Sequence, residues 1–325
     1  MKKLIVLATL AALPAVAMAD VTISGDLAVG IVNTKNGGPK TDPVAKHSLT
    51  TENRTQGEIK FAGSDDIGNG LKAIWQIASR INLADQSIDA RDNLWAGRDS
   101  FVGLTGGFGT LTMGNIYIMP TSGAMSIFEN ENATWKSLIY DQGFRANNMV
   151  SYQTPNLGGF TGTVQHSFGV SSGDEQARLY AQAVSLAYQG NGFAVSYDGS
   201  RFKENSSGDF TKLHELNGSV TLGDLKLMAA YAQGTSGVLD AKIKGYGVGA
   251  AYTYGNFVPK FEYWHEGNAK IAGTSYKTGS NNYALGVEYG LSKRTRAGVE
   301  YVRTNYKSSD LENANVATVY LGTKF

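Results

Sequence analysis

Four histidines, His47, His166, His214 and His265, are the residues of this chain most suited to acid–base or metal chemistry, and their spacing serves neither. They are scattered, and no pair falls at H-x-x-x-H or another ligand interval, so a metal centre is not expected. His166 is followed at once by Ser167. Neighbouring residues of a strand point to opposite faces, so this pair cannot act as base and nucleophile. The glycine-rich stretch Gly103 to Gly109 lacks the lysine that a phosphate loop needs. No cysteine is present, which excludes thiol catalysis, cysteine metal sites and a disulfide scaffold. No enzyme activity and no cofactor are expected.

The charged residues point instead to electrostatics. The longest stretch without strand character, about Tyr117 to Phe144, carries Glu129, Glu131 and Asp141 together with Met119, Met125, Ile127, Phe128, Trp135 and Leu138. A loop of this length is usually functional or disordered. Its apolar content disfavours disorder, so it is expected to pack against a wall. Basic residues that could face it come from strand-like windows. Ile59 and Phe61 share one phase, which leaves Arg54, Glu58 and Lys60 on the other. Leu71, Ala73, Trp75 and Ile77 likewise separate from Lys72, Gln76 and Arg80. Val150 and Tyr152 leave Met149, Asn147 and Arg145 on the second face. Lys60 and Lys72 stand either at a narrowing or near a short-turn rim.

Elements that could position such charges are legible along the whole chain. Tyr283-Ala284-Leu285-Gly286-Val287-Glu288-Tyr289 alternates large apolar with small or charged residues. The same phase runs through Tyr246, Val248, Ala250 and Tyr252, and through Ala297, Val299 and Tyr301. Apolar residues at i, i+2 and i+4 wrap around a helix but line one face of a strand. Short breaks such as Gly190-Asn191-Gly192 and Gly223-Asp224 alternate with long polar ones at 35–50, 83–96, 171–178 and 203–210. Short turns on one rim and long loops on the other characterise outer-membrane barrels, and the count of strands comes to about sixteen. The second face is rich in Gly, Ala, Ser and Thr, too small to fill an interior, which suits a water-filled lumen. The final strand Val316 to Phe325 places Ala317, Val319, Leu321 and Phe325 on one side and Thr318, Tyr320 and Lys324 on the other. Apolar outside and wet inside is the requirement of a barrel in lipid. Closure follows because hydrocarbon offers no hydrogen-bond partner to a sheet edge.

The start of the chain agrees with export. Lys2 and Lys3 precede the apolar run Leu4 to Val16 and the small-x-small site Ala17-Met18-Ala19, so 1–19 reads as a signal peptide and 20–325 as one domain. Removing two lysines from 29 basic against 28 acidic residues leaves 27 against 28, a net −1, which argues against nucleic acid as a partner.

These residues resemble the trimeric general porins of Gram-negative bacteria, in particular the neisserial and β-proteobacterial branch. The matching segments are Gly63 to Gln76, Arg98 to Leu111, Asn147 to Tyr152 followed by Pro155, and Leu321 to Phe325. The resemblance implies an all-β, 16-stranded antiparallel transmembrane barrel, a homotrimer, and a third long loop folded inward to constrict the pore. It implies pore-lining arginines at Arg98 and Arg145, and Phe325 as the C-terminal signal read by the barrel assembly machinery. Glu58 and Asn115 stand where the family usually carries basic residues.

The expected function is a general diffusion porin for ions and small hydrophilic solutes, surrounded by outer-membrane lipids. The alternative is a channel specific for one solute class, which would want a ladder of inward aromatics or arginines; only Trp264 and Tyr320 are inward aromatic exceptions. Two unit charges about 10 Å apart in water interact by about 0.4 kcal/mol, and physiological salt screens over about 8 Å. Size-limited passage with a mild charge preference is therefore expected.

Overall fold

The computed structural model describes residues 21–35, 47–84, 95–118, 127–128, 145–169, 180–203 and 209–325. The expected signal segment 1–19 and the loop carboxylates Glu129, Glu131 and Asp141 lie outside the described residues.

Strand follows strand in chain order: β1 (Thr22–Lys35), β2 (Ser48–Gly68), β3 (Leu71–Arg80), β4 (Ser100–Gly106), β5 (Gly109–Tyr117) and β6 (Arg145–Gln153). There follow β7 (Phe160–Ser167), β8 (Tyr180–Gly190), β9 (Phe193–Lys203), β10 (Thr211–Leu222), β11 (Leu225–Ser236) and β12 (Ala241–Tyr252). The last are β13 (Phe257–Glu266), β14 (Lys270–Ile271), β15 (Thr274–Ser275), β16 (Ser280–Gly290), β17 (Thr295–Tyr306) and β18 (Ala314–Lys324). β14 and β15 form a two-residue hairpin that leans on β12, and β13 pairs directly with β16. Eighteen strands less that hairpin leaves sixteen in the wall. Every pairing is antiparallel, and β1 joins β18 from Asp26↔Lys324 to Lys35↔Asn315, so the sheet has no free edge.

The seam is sealed at the last residue. The Gly25 N–H donates to the Phe325 carbonyl at 3.0 Å and the Phe325 N–H to the Gly25 carbonyl at 3.1 Å. The Phe325 ring lies over Gly25, where a Cβ would collide with it. Local chemistry explains the tight rim: Asn191 and Gly192 both take positive φ, as a two-residue type I′ hairpin between Gly190 and Phe193 requires.

Alternation places the two faces as the sequence predicts. Leu285, Val299, Val319 and Leu321 are each more than half exposed on the outside, while Thr318 and Tyr320 between them are buried. Large apolar side chains exposed over a whole wall mark a surface made for lipid. The inner face is less empty than expected from its small residues. Trp264 pairs with Gly247 and Tyr320 with Gly298, and a Cβ at either glycine would overlap the ring. The glycines are thus floors on which inward aromatic rings lie flat, so small residues there do not by themselves mean open water. Ile116, Met149, Ala181, Phe202 and Leu213 form a further inward apolar cluster across β5 to β10.

The candidate channel lining

Of the cations expected on the wall, Lys60, Lys72, Arg80, Arg98 and Arg145 have described side chains. Lys60 and Glu58 share the inner face of β2 and form an ion pair at 2.6 Å. Glu58, one of the two departures from the family pattern, therefore cancels much of the charge of Lys60. Arg80 stands opposite Glu58 on β3. Arg98 is buried, its N–H donates to the Ala78 carbonyl, and the Asn115 side-chain amide donates to the carbonyls of Gly97 and Arg98. Asn115, the second departure, thus holds the segment that carries Arg98. Arg54 pairs with Ala28 in the ladder, and its side chain lies outside the described residues. Lys72 is the second residue of β3, exposed and opposite Asp66 beside the Gly68–Gly70 turn, which puts it at the short-turn rim.

The parity joining Arg145 to Met149 does not hold. Gly114 pairs with Met149 but Ile116 pairs with Ala146, so Asn147 and Asn148 together oppose the single Asn115. This is a β-bulge, with Asn148 at φ 53°, and its extra residue reverses the phase of what precedes it. Ala146, not Arg145, is buried in the same inward cluster as Met149. Arg145 donates Nε to Asp99 Oδ1 at 3.0 Å and stacks on the Tyr117 ring at 4.9 Å. Asp99 also accepts the Tyr117 N–H at 2.9 Å, which ties the start of the third long loop to the segment before β4.

A second charged group was missed. Lys260 on β13 is almost buried and donates to Glu300 Oε1 on β17 at 3.1 Å, with Glu288 Oε2 on β16 at 3.6 Å. Tyr320 donates its hydroxyl to Glu288 at 2.9 Å. Phe128, from the third long loop, covers this group: the ammonium lies 5.2 Å from its ring. Phe128 is buried with Val32, Ala284, Val302 and Val316, all on the inner side of the wall, and Ile127 packs against the same cluster and against that of Met228, Ala230, Ala232 and Trp264. Asp198, Glu215, Glu262 and Glu266 also turn inward and are buried. Neither Glu262 oxygen has a hydrogen-bond partner among the described residues. The alternation that found Lys60 would have found Glu215, which sits between the exposed His214 and Leu216.

The inner wall therefore carries cations on β2, β3 and the approach to β4, and carboxylates from β9 to β17. Such an interior can order ions and dipoles across its width. His166 bonds Gln182 and His214 bonds Tyr197, both on the outer face, far from any nucleophile geometry. A closed sixteen-strand barrel with a lipid-type exterior and a charged interior defines a transmembrane channel of the porin class.

Comparison with known proteins gives the family. Residues 6–309 match the Gram-negative porin family. The major outer membrane protein P.IB of Neisseria lactamica is 31% identical over 325 residues, covering 91% of each chain. That of Neisseria gonorrhoeae is 30% identical over 332 residues, covering 91% of this chain and 92% of its own. Among solved structures, an anion-selective porin from Comamonas acidovorans superposes with a TM-score of 0.74 at 21% identity, over 94% of this chain and all of the other. Salmonella typhi OmpF in complex with daunomycin gives 0.72 at 18% identity, over 94% and 98%. The chain belongs to the Gram-negative porin family: it is an outer-membrane diffusion channel and not an enzyme.

Proposed function

We propose that the channel passes ions and small hydrophilic solutes with a size limit and a mild charge preference, works as a homotrimer, and is narrowed by the third long loop folded inward. The observation that carries this reading is the burial of Phe128 against the inner wall, over the Lys260–Glu300 pair. That position of Phe128 supports the inward folding of the loop. Glu129 and Glu131 follow Phe128 within three residues of sequence, and with Asp141 we take them as the carboxylates the loop offers to the passage. Lys60, Arg80 and Arg98 supply the opposing cations, and Arg54 joins them by its phase on β2. Arg145 contributes less, because Asp99 neutralises it, and Lys72 acts at the rim.

Mild preference follows from pairing. Lys60, Arg145 and Lys260 each have a carboxylate within 3.1 Å, which leaves little net field at a screening length of about 8 Å. One structural relative is described as anion-selective and another was solved in a trimer form, which supports the channel and trimer readings. A solute-specific channel would need a free aromatic ladder, and Trp264 and Tyr320 instead lie flat on glycines. We take residues 1–19 as a signal removed before Asp20, the barrel assembly machinery as the reader of Phe325, and lipid as the surround of the barrel.

Planar-bilayer recording tests the whole reading. Three-step insertion events and a reversal potential well short of the ideal value in a salt gradient are expected. Near-ideal selectivity for one sign, or saturation by a single solute at micromolar levels, would replace it with the specific channel.

A further inference from the structure

The third long loop leaves the wall and returns to it at neighbouring points, and one side chain holds both. Tyr117 ends β5, Arg145 opens β6, and the two stand directly opposite in the ladder. The bulge at Asn147-Asn148 lies just past Ala146, so beyond it β5 and β6 are joined by the two pairs Ile116↔Ala146 and Tyr117↔Arg145. On its other side β5 has already lost its neighbour, because the pairing with β4 stops at Ser100↔Asn115. Tyr117 therefore lies two residues past the last partner that β4 offers. A wall that divides here needs a tie that no strand supplies.

Asp99 supplies it. Its Oδ1 accepts the Tyr117 N–H at 2.9 Å and Arg145 Nε at 3.0 Å. The Arg145 guanidinium lies over the Tyr117 ring, 4.9 Å from its centroid. Asp99 is itself fixed to β3: Gln76 donates its side-chain amide to the Asp99 carbonyl at 2.7 Å, and the Ala78 N–H donates to Ser100 Oγ at 3.0 Å. A partly exposed ion pair contributes little by itself. Here the same oxygen also holds a backbone N–H and the ring backs the guanidinium, so the contacts reinforce one another.

The direction in which the chain departs is set at the same residue. Gln165, buried on the inner face of β7, donates Nε2 to the Tyr117 carbonyl at 3.0 Å. β6 lies between β5 and β7, so this bond spans the inner side of β6. Ile118 follows into the inward cluster with Met149, Ala181, Phe202 and Leu213. Both polar backbone groups of Tyr117 are thus held, the N–H by Asp99 and the carbonyl by Gln165, and the chain leaves the wall inward.

We propose that Asp99 is a positioning residue of the passage: it joins the two roots of the third long loop and so sets the free width of the lumen. This role rests on the loop's narrowing of the channel, and it adds that the width is governed at the roots as well as where Phe128 is seated. The two bonds differ in chemistry. Any oxygen can accept the Tyr117 N–H, but a carboxylate also carries the charge that holds Arg145. Each bond lost should favour parted roots by about fivefold.

The test reads liposome swelling by neutral sugars of increasing size, with the full-length oligomer reconstituted. Neutral solutes report width and are indifferent to the charge that leaves with Asp99. Asp99→Ala, which loses both bonds, should admit larger sugars than wild type, with Asp99→Asn intermediate and the heat-resistant oligomer retained. Asp99→Asn carries the comparison where the alanine variant does not assemble. Asp310→Asn removes an exposed carboxylate far from the roots and should leave every rate unchanged. Residues opposite in a ladder have Cα atoms about 4.5–5.5 Å apart, within the span of a disulfide, and the chain has no cysteine of its own. Tyr117→Cys with Arg145→Cys, added to Asp99→Ala, should therefore restore the wild-type sugar limit when oxidised and lose it on reduction. Equal limits in the oxidised and reduced forms would overturn the joining of the roots. A shifted reversal potential in Asp99→Ala with wild-type sugar rates would leave Asp99 a role in charge preference alone and overturn the proposal. Phe128→Ala separates the two levels. Wider passage there with wild-type rates in Asp99→Ala would overturn the role of Asp99 and keep the narrowing by the loop, whereas wild-type rates in both would overturn both.

Discussion

Lys260 shows what one buried cation does in such a wall. Its ammonium is the shared partner of Glu300 and Glu288 under the Phe128 ring. Removing one member of a buried pair leaves the other charge uncompensated, at a cost of about 3–5 kcal/mol. Lys260→Met should therefore lower the heat stability of the assembled oligomer on unheated gels and move its reversal potential toward cations. Lys260→Met with Glu300→Gln should recover most of the stability, since the orphan carboxylate is gone. Phe128 makes a separate prediction. Phe128→Ala removes the ring that seats the loop, and single-channel conductance and the size of permeating sugars should both rise in liposome swelling. Unchanged values for both would place the constriction elsewhere. Neither role could be read from sequence, because Lys260 meets carboxylates on two later strands and Phe128 reaches it from a distant loop.

At the scale of the strand, alternation carries the lipid face and can be tested by breaking it. Leu285 and Val299 lie mid-strand on β16 and β17 and are exposed outward. An arginine at either should cost about 2–4 kcal/mol near the bilayer midplane, seen as a lowered midpoint in urea refolding into vesicles, while the same change at a rim position should be nearly silent. Gly247→Val tests the inner face: the new side chain must displace the Trp264 indole, so tryptophan fluorescence should shift and the barrel should lose stability. Strand existence and facing were legible because each window keeps a strict period of two. That period failed at Asn147-Asn148, where one inserted residue moved Arg145 out of phase with Met149. A bulge leaves no reliable mark in a single sequence, since Asn-Asn is equally a turn pair. The glycines of β12 and β17 were legible as small, but their use as beds for Trp264 and Tyr320 was not, because register between strands decides which ring meets which glycine.

For the whole molecule, closure is the decisive fact. Pairing of β1 with β18 removes the last free edge, and the Gly25–Phe325 bonds end that seam. Phe325→Ser should slow appearance of the heat-resistant oligomer in the outer membrane, measured by pulse labelling, whereas Lys324→Ser should leave it nearly unchanged, since Lys324 is exposed with only a 3.6 Å contact to Asp26. The sequence by itself determined period-two strands, an apolar outer face and two unequal rims. These are local properties, written in the order and chemistry of neighbouring residues. Only the tertiary structure decided which cations are cancelled, where Phe128 rests, and that Asp99 bonds both Tyr117 and Arg145. Those facts arise from contacts across the ladder, where a shift of a single residue turns a side chain from water to lipid.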